Sequence, residues 1–292
     1  MKIISVYNNK GGTAKTTSVF NFAGILAKQG KKVLCVDTDP QGNLSRRLLT
    51  FNMEQKTDEQ KTSKGRDRDR EWFKDKLTIA DIFREPEKVN EAIISCLIPL
   101  NNTQPKKRGI DIIPSVPFDL AGKEEIRAID EAIGKALPKG NFSRAMRSIR
   151  RTRKHLYDYD YILIDYGPTY GNITKEALTA SDYLVTPSTI DVNSVDGMDS
   201  IMAIKNEIKK TNPGFKFLGF YLCCWSVSAN YDKSMEKIIE EKIGKYNYLG
   251  HIKQSTDAKW SLHNTIPLTW MKRNAEVTKD FENVLAEMMR RM

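Results

Sequence analysis

The sequence predicts an α/β fold, a doubly wound and mostly parallel sheet flanked by helices. Three observations carry that expectation. Short apolar runs (KIISVY at Lys2–Tyr7, VLCVD at Val33–Asp37, YILID at Tyr161–Asp165) read as strands buried on both faces. They alternate with segments of helical length along the whole chain. The first run enters a glycine-rich turn, then a helix, then the second strand, which is the order of a βαβ unit and implies parallel pairing.

In order, the helix after the first strand ends at Gly30, a natural C-cap. Glu54–Asp75 mixes both charge signs densely and reads as an exposed, mobile insertion. LTIADIF and VNEAII give short helical signals, and Ile110–Ser115 reads as a strand. Lys139–Lys154 has seven basic residues and no acid, with Phe142, Ala145, Met146, Ile149 and the nearby Leu156 on one face, an amphipathic basic helix. After Asp165 come a helix from about Thr174, the strand YLVTPS, and a helix over about 194–210. The strand FKFLGFYLCCW follows, then a helix over about 231–245 and a terminal helix from about Glu276. No internal repeat is visible, and the unbroken alternation favours one domain over residues 1–292.

Composition narrows the function. The 292 residues carry 47 basic and 37 acidic side chains, a formal charge of +10 that suits polyanionic partners. Cys35, Cys96, Cys223 and Cys224 lack metal-ligand spacing and read as free thiols in a reducing compartment. The apolar start is too short for a signal peptide, and the longest apolar run, Phe217–Trp225, is about half a bilayer span. A cytoplasmic protein is expected.

The chemistry concentrates in KGGTAKTT, Lys10–Thr17. A glycine-rich loop between strand and helix turns backbone N–H groups toward phosphate, and the helix N-terminus adds a favourable dipole. Gly11 and Gly12 supply flexibility, Lys15 is placed to reach the β/γ-phosphates, and the Thr16 hydroxyl can ligate Mg²⁺. The ordinary phosphate-loop pattern has glycine where this chain has Lys10. Two lysines crowding one phosphate group are unfavourable, so Lys10 is read as facing a nucleotide held by a neighbouring molecule.

KGGTAKTT resembles the deviant Walker A motif of the ParA/MinD/Soj ATPases, KGGxxK[ST]T. The resemblance implies the P-loop NTPase fold and a nucleotide site formed by Lys10, Gly11, Gly12, Thr13, Ala14, Lys15, Thr16 and Thr17. It also implies an ATP-sandwiched homodimer in which Lys10 reaches the partner's phosphates. VDTDPQGNLS, Val36–Ser45, resembles the ParA form of Walker A′. By that match Asp39 orients the attacking water, and Asp37 lies beside the Mg²⁺ shell. YILIDYGP resembles Walker B, with Asp165 acting on Mg²⁺ through water; the family usually has DxPP where this chain has Asp165, Tyr166, Gly167 and Pro168. The catalytic set implied is Lys10, Lys15 and Asp39, and the metal set Thr16, Asp37 and Asp165.

The resemblance further implies non-specific DNA binding, ATPase activity stimulated by a ParB-like centromere-binding partner, and a nucleoid-associated location. Lys205, Lys209, Lys253 and Lys259 are the candidate DNA contacts, with Gln254 and Asp257 standing where relatives carry basic residues. Arg144, Arg147, Arg150, Arg151 and Arg153 are a second candidate surface. The alternative is a MinD-like or orphan ParA-like switch that positions cargo at a membrane or nucleoid, or regulates transcription. For it, Phe281, Val284, Leu285, Met288 and Met289 on the terminal helix would have to face lipid; the expectation is that they pack on the core. The cysteine spacing sets the chain apart from nitrogenase iron-protein relatives.

Overall fold

The structure, a computed structural model, describes residues 1–54, 72–99, 104–115, 120–151, 158–190, 192–226 and 230–292. Strands β1 (Lys2–Val6), β2 (Val33–Asp37), β3 (Ile94–Ile98), β4 (Lys106–Ile113), β5 (Tyr161–Asp165), β6 (Tyr183–Thr189), β7 (Lys216–Trp225) and β8 (Tyr248–Lys253) form one sheet. Its order is β3-β4-β2-β5-β1-β6-β7-β8, parallel except for the β3–β4 pair at one edge.

Helices cover both faces. They are α1 (Lys15–Lys28), α2 (Asn43–Glu54), α3 (Ile79–Arg84), α4 (Leu120–Ala132), α5 (Asn141–Arg151), α6 (Asn172–Ala180), α7 (Val192–Thr211), α8 (Asn230–Ile243), α9 (Thr256–Asn264), α10 (Leu268–Met271) and α11 (Glu276–Arg291). Alternate strand residues serve opposite cores, as a pleated strand requires. Ile3, Leu34, Val36, Ile162 and Ile164 pack toward α3 to α8 through Phe83, Ile126, Phe142, Leu178, Ile201 and Ile239. Ile4, Val33, Cys35 and Leu163 pack toward α1, α2 and α11 through Phe20, Phe22, Leu48, Phe281 and Leu285. The fold class is the one the sequence predicts.

Several elements differ from expectation. Val89–Ile94 carries no α-helix: a 3₁₀ turn, Pro86–Asn90, gives way to β3. Pro86 starts that turn, and the isoleucines that follow it favour an edge strand. Antiparallel pairing with β3 also extends β4 upstream to Lys106, through residues too polar to read as strand alone. No element is expected from the sequence at α2, α4, α9, α10 or β8.

Most of the expected insertion, and the basic side chains Arg150, Arg151 and Arg153, lie outside the described residues. Trp72 and Phe73 at its far end are buried edge to face, so they belong to the core. In α5, Phe142, Ala145, Met146 and Ile149 are buried while Arg144 and Arg147 are exposed, the amphipathic arrangement expected. On α11, Phe281, Val284, Leu285 and Met288 are buried in the core. All four cysteines are free thiols. Among the described residues no helix is long and apolar enough to cross a membrane.

Candidate nucleotide site

Three strands adjacent in the sheet deliver the motif residues to one rim. β5 lies between β2 and β1, and in register Asp37 stands opposite Asp165, which stands opposite Val6. The loop leaving β1, the acid ending β2 and the acid ending β5 therefore meet at the carboxyl edge, where the strand order reverses and ligands bind in such folds.

The loop is shaped by backbone conformation. Gly12 has φ 72° and Ala14 φ 57°, the latter uncommon for a residue with a side chain and a site of local strain. Asn8 anchors the loop's base: its Nδ2 donates to the Pro187 carbonyl at 2.7 Å and its Oδ1 accepts from Lys10 N at 2.9 Å. The N-terminus of α1 has no side-chain cap and no acid in its first turn. Its amides are thus left for an anion. A Cβ placed on Gly11 or Gly12 meets nothing within 4 Å, so the loop faces open space.

Lys15 is buried, and its Nζ donates to the Lys10 carbonyl at 2.7 Å. Burial lowers its pKa, while the charges of Asp165 and Asp39 oppose that shift. The ammonium therefore sits in the field of both acids, positioned at the centre of the loop. Lys10 takes a different course. Its side chain lies over Gly197 of α7, where an added Cβ would come 3.0 Å from Lys10 Cε.

The acids are cross-braced by hydroxyls that the sequence does not single out. Asp37 Oδ2 accepts from Ser45 N at 2.8 Å and Ser45 Oγ at 2.7 Å, and its Oδ1 accepts from Asp39 N at 3.1 Å. Ser115 N donates to Ser45 Oγ at 2.9 Å, and Ser115 Oγ donates to the Asp39 carbonyl at 2.7 Å. Thr38 Oγ1 donates to the Asp165 carbonyl at 2.7 Å. No motif pattern could have found Ser115, which joins the set across 70 or more positions.

Burial pushes the Asp37 carboxyl up to about 7, helped by the Asp39 charge and opposed by the Ser45 and Asp39 donors. Asp39 is also raised by burial, and Gln41 N (2.9 Å to Oδ1), Lys15 and Lys123 pull it back. Asp165 is fully buried and raised well above the carboxylate range, first by burial and then by the Asp37 charge. Thr16 lies close enough to offset part of that rise, yet neither Asp165 oxygen receives a hydrogen bond of good geometry. A buried carboxylate without a donor invites a cation or a metal-bound water.

Among the described residues no three His, Cys, Asp or Glu side chains form a metal cluster. Mg²⁺ is ordinarily held by one or two protein oxygens together with substrate phosphates and water. The residues present fit such an ion: Asp165 is unsatisfied, Thr16 is beside it, and Asp37 stands opposite in register.

The Walker B departure has a structural counterpart. Tyr166 is buried, with its hydroxyl 2.6 Å from Ser5 Oγ, and Ser5 Oγ is 2.7 Å from Ser181 Oγ. A Cβ on Gly167 would lie 3.2 Å from Asp39 Oδ1. The segment after Asp165 is thus anchored by Tyr166, and Gly167 leaves room for the Asp39 carboxylate.

The four candidate DNA lysines are not gathered into one patch. Lys205 and Lys209 lie in the second half of α7, which runs back toward the amino edge of the sheet. Lys253 ends β8 and Lys259 follows on α9, at the carboxyl edge. Lys253 pairs with Glu276 at 3.0 Å, and Lys259 is exposed.

A mostly parallel sheet with a phosphate loop after β1 and an acid at the end of each of the next two strands, β5 and β2, defines a P-loop ATPase. A family model described as an AAA domain, AAA_31, matches residues 1–217, and the chain belongs to that family, within its ParA/MinD/Soj group. It is 29% identical over 209 residues to the sporulation initiation inhibitor protein Soj of Bacillus subtilis, covering 72% of this chain and 66% of Soj. It is 27% identical to the virulence plasmid ParA family protein pGP5-D of Chlamydia psittaci, covering 98% of this chain and 96% of that one. A complex of an McdA variant from Cyanothece with ATP shares the fold, with a TM-score of 0.72 at 20% identity over 99% of this chain and 96% of that one.

Proposed function

We propose that this chain is a DNA partition ATPase. ATP binding with Mg²⁺ forms a homodimer with nucleotide at the interface, and the dimer binds DNA without sequence preference. Hydrolysis, slow alone and stimulated by a ParB-like centromere-binding partner, releases it. The chain acts as one domain, in the cytoplasm and on the nucleoid.

One observation carries this reading: Lys15 lies in the field of both Asp39 and Asp165 at the rim where the loop opens. In the proposed division of roles, Lys15, Gly11 to Ala14 and Thr17 hold the chain's own phosphates. Thr16 and Asp165 hold Mg²⁺, with Asp37 beside them, and the ion supplies charge neutralisation on the phosphates. Asp39, whose raised pKa makes it a better base than a free carboxylate, orients and deprotonates water. Lys10 leaves its seat over Gly197 to serve the partner's nucleotide, as an arginine finger does. The buried apolar face of α11 argues against the membrane-inserted alternative.

The test is ATP binding, ATPase rate and DNA co-sedimentation, with and without the candidate partner. Asp39→Ala is expected to bind ATP and lose hydrolysis by about 100-fold or more. Lys10→Ala should keep nucleotide binding but lose dimerisation and turnover, whereas Lys15→Ala should lose nucleotide binding itself. Wild-type hydrolysis by Asp39→Ala, or equal loss of ATP binding in both lysine variants, would refute these roles.

A further inference from the structure

A cleft of about 380 Å³ opens beside Asp39. Asp39 and Gly167 form one wall and α4 the other, and no residue of Lys10–Thr17 lines it. Helix α4 contributes Lys123 and Arg127, one turn apart on the same face. Neither side chain makes an ion pair or a hydrogen bond among the described residues, and Lys123 is close enough to lower the Asp39 pKa. Three acids also line the cleft: Asp39 in its wall, Asp130, and Glu131, one turn beyond Arg127 on α4. Asp130 is already engaged, its Oδ1 accepting from Ile173 N at 2.7 Å at the start of α6, and Glu131 is exposed.

We infer that this cleft is a binding site for inorganic phosphate, through which the product of hydrolysis leaves. The inference rests on the catalytic reading above. When water oriented by Asp39 attacks, its oxygen bonds to the γ-phosphorus, the bond to the bridging oxygen breaks, and the proton passes through Asp39 to solvent. In-line displacement carries the phosphoryl group toward the attacking side, away from ADP. By the catalytic reading Asp39 stands on that side, and it also lines the cleft. Two cations on one helical face, neither paired among the described residues, match the divalent product as charge-assisted donors. No residue of Lys10–Thr17 lines the cleft with them, so the nucleotide's own phosphates are left to Lys15.

Titration of nucleotide-free protein with inorganic phosphate by calorimetry tests this. The phosphate loop also binds phosphate, so the measurement is made on Lys15→Ala. One site is expected to remain there. Adding Lys123→Ala and Arg127→Ala should weaken it by about tenfold or more, while adding Lys135→Ala, an exposed cation outside the cleft, should leave it as it was. In protein with Lys15 intact, the Lys123→Ala, Arg127→Ala variant should show phosphate release, followed with a phosphate sensor, lagging behind bond cleavage followed by quenching. The inference is overturned if Lys15→Ala binds no phosphate, if the two further substitutions leave binding unchanged, or if release keeps pace with cleavage. None of those results touches the assignment of Asp39, which stands or falls on hydrolysis by Asp39→Ala.

Discussion

Asp37 shows how a single residue records the site's purpose. Its carboxyl is pushed up to about 7 because burial outweighs three favourable donors. An ordinary carboxyl titrates near 4, so folding takes up a proton between about pH 4 and 7. The contribution to stability is present in full below that window and is lost as pH rises through it. Nucleotide-free protein without Mg²⁺ is therefore expected to melt at a lower temperature at about pH 8 than at about pH 5.5 on account of this group, with a smaller difference in Asp37→Ala. Thermal melts at the two pH values decide it; an equal difference in both proteins would show that Asp37 is not the group responsible. The candidate residues Lys10 to Thr17, Asp37, Asp39 and Asp165, which the fold brings to one rim, were legible as motifs because phosphate and Mg²⁺ accept few residue types at fixed spacing. Ser45, Ser115, Gly167 and Gly197 were not, because their roles arise from contacts that only the folded chain creates.

At the scale of elements, the packing of α1 makes a clear forecast. A Cβ on Gly24 would lie 2.4 Å from Pro267 Cβ and 2.9 Å from its Cγ. Replacing glycine by alanine in a helix ordinarily stabilises by about 0.5–1 kcal/mol. Here overpacking against a stiff ring costs about 1–3 kcal/mol and wins. Gly24→Ala is expected to lower the denaturant midpoint, and a raised midpoint would show that the α10 segment yields without cost. Strands buried on both faces were easy to read, since Val33–Asp37 and Tyr161–Asp165 are continuous apolar runs. Edge strands were harder: β3 and β8 are half-buried, and β8 includes Gly250 and His251. Their conformation is set by a neighbouring strand more than by their own residues.

For the whole molecule, the charge of +10 forecasts salt-sensitive DNA binding. Its distribution refines the forecast. Lys253 shares its charge with Glu276, whereas Lys259 is exposed. Lys259→Glu is therefore expected to weaken ATP-dependent DNA co-sedimentation more than Lys253→Glu does. Removing a lysine that neutralises one DNA phosphate should flatten the dependence of log affinity on log salt by about 0.9. If neither substitution, nor Lys205→Glu with Lys209→Glu, changes binding or its salt slope, the DNA-binding surface lies elsewhere.

Ser115, the last described residue before residue 120 opens α4, is tied to Ser45 and to Asp39, and Ser45 is tied to Asp37. A displacement of Ser115 is therefore felt at the Asp39 main chain directly and at the Asp37 carboxylate through Ser45, over three short bonds. One serine thus couples the two acids at the end of β2, so Ser115→Ala is expected to alter the settings of both Asp37 and Asp39 at once.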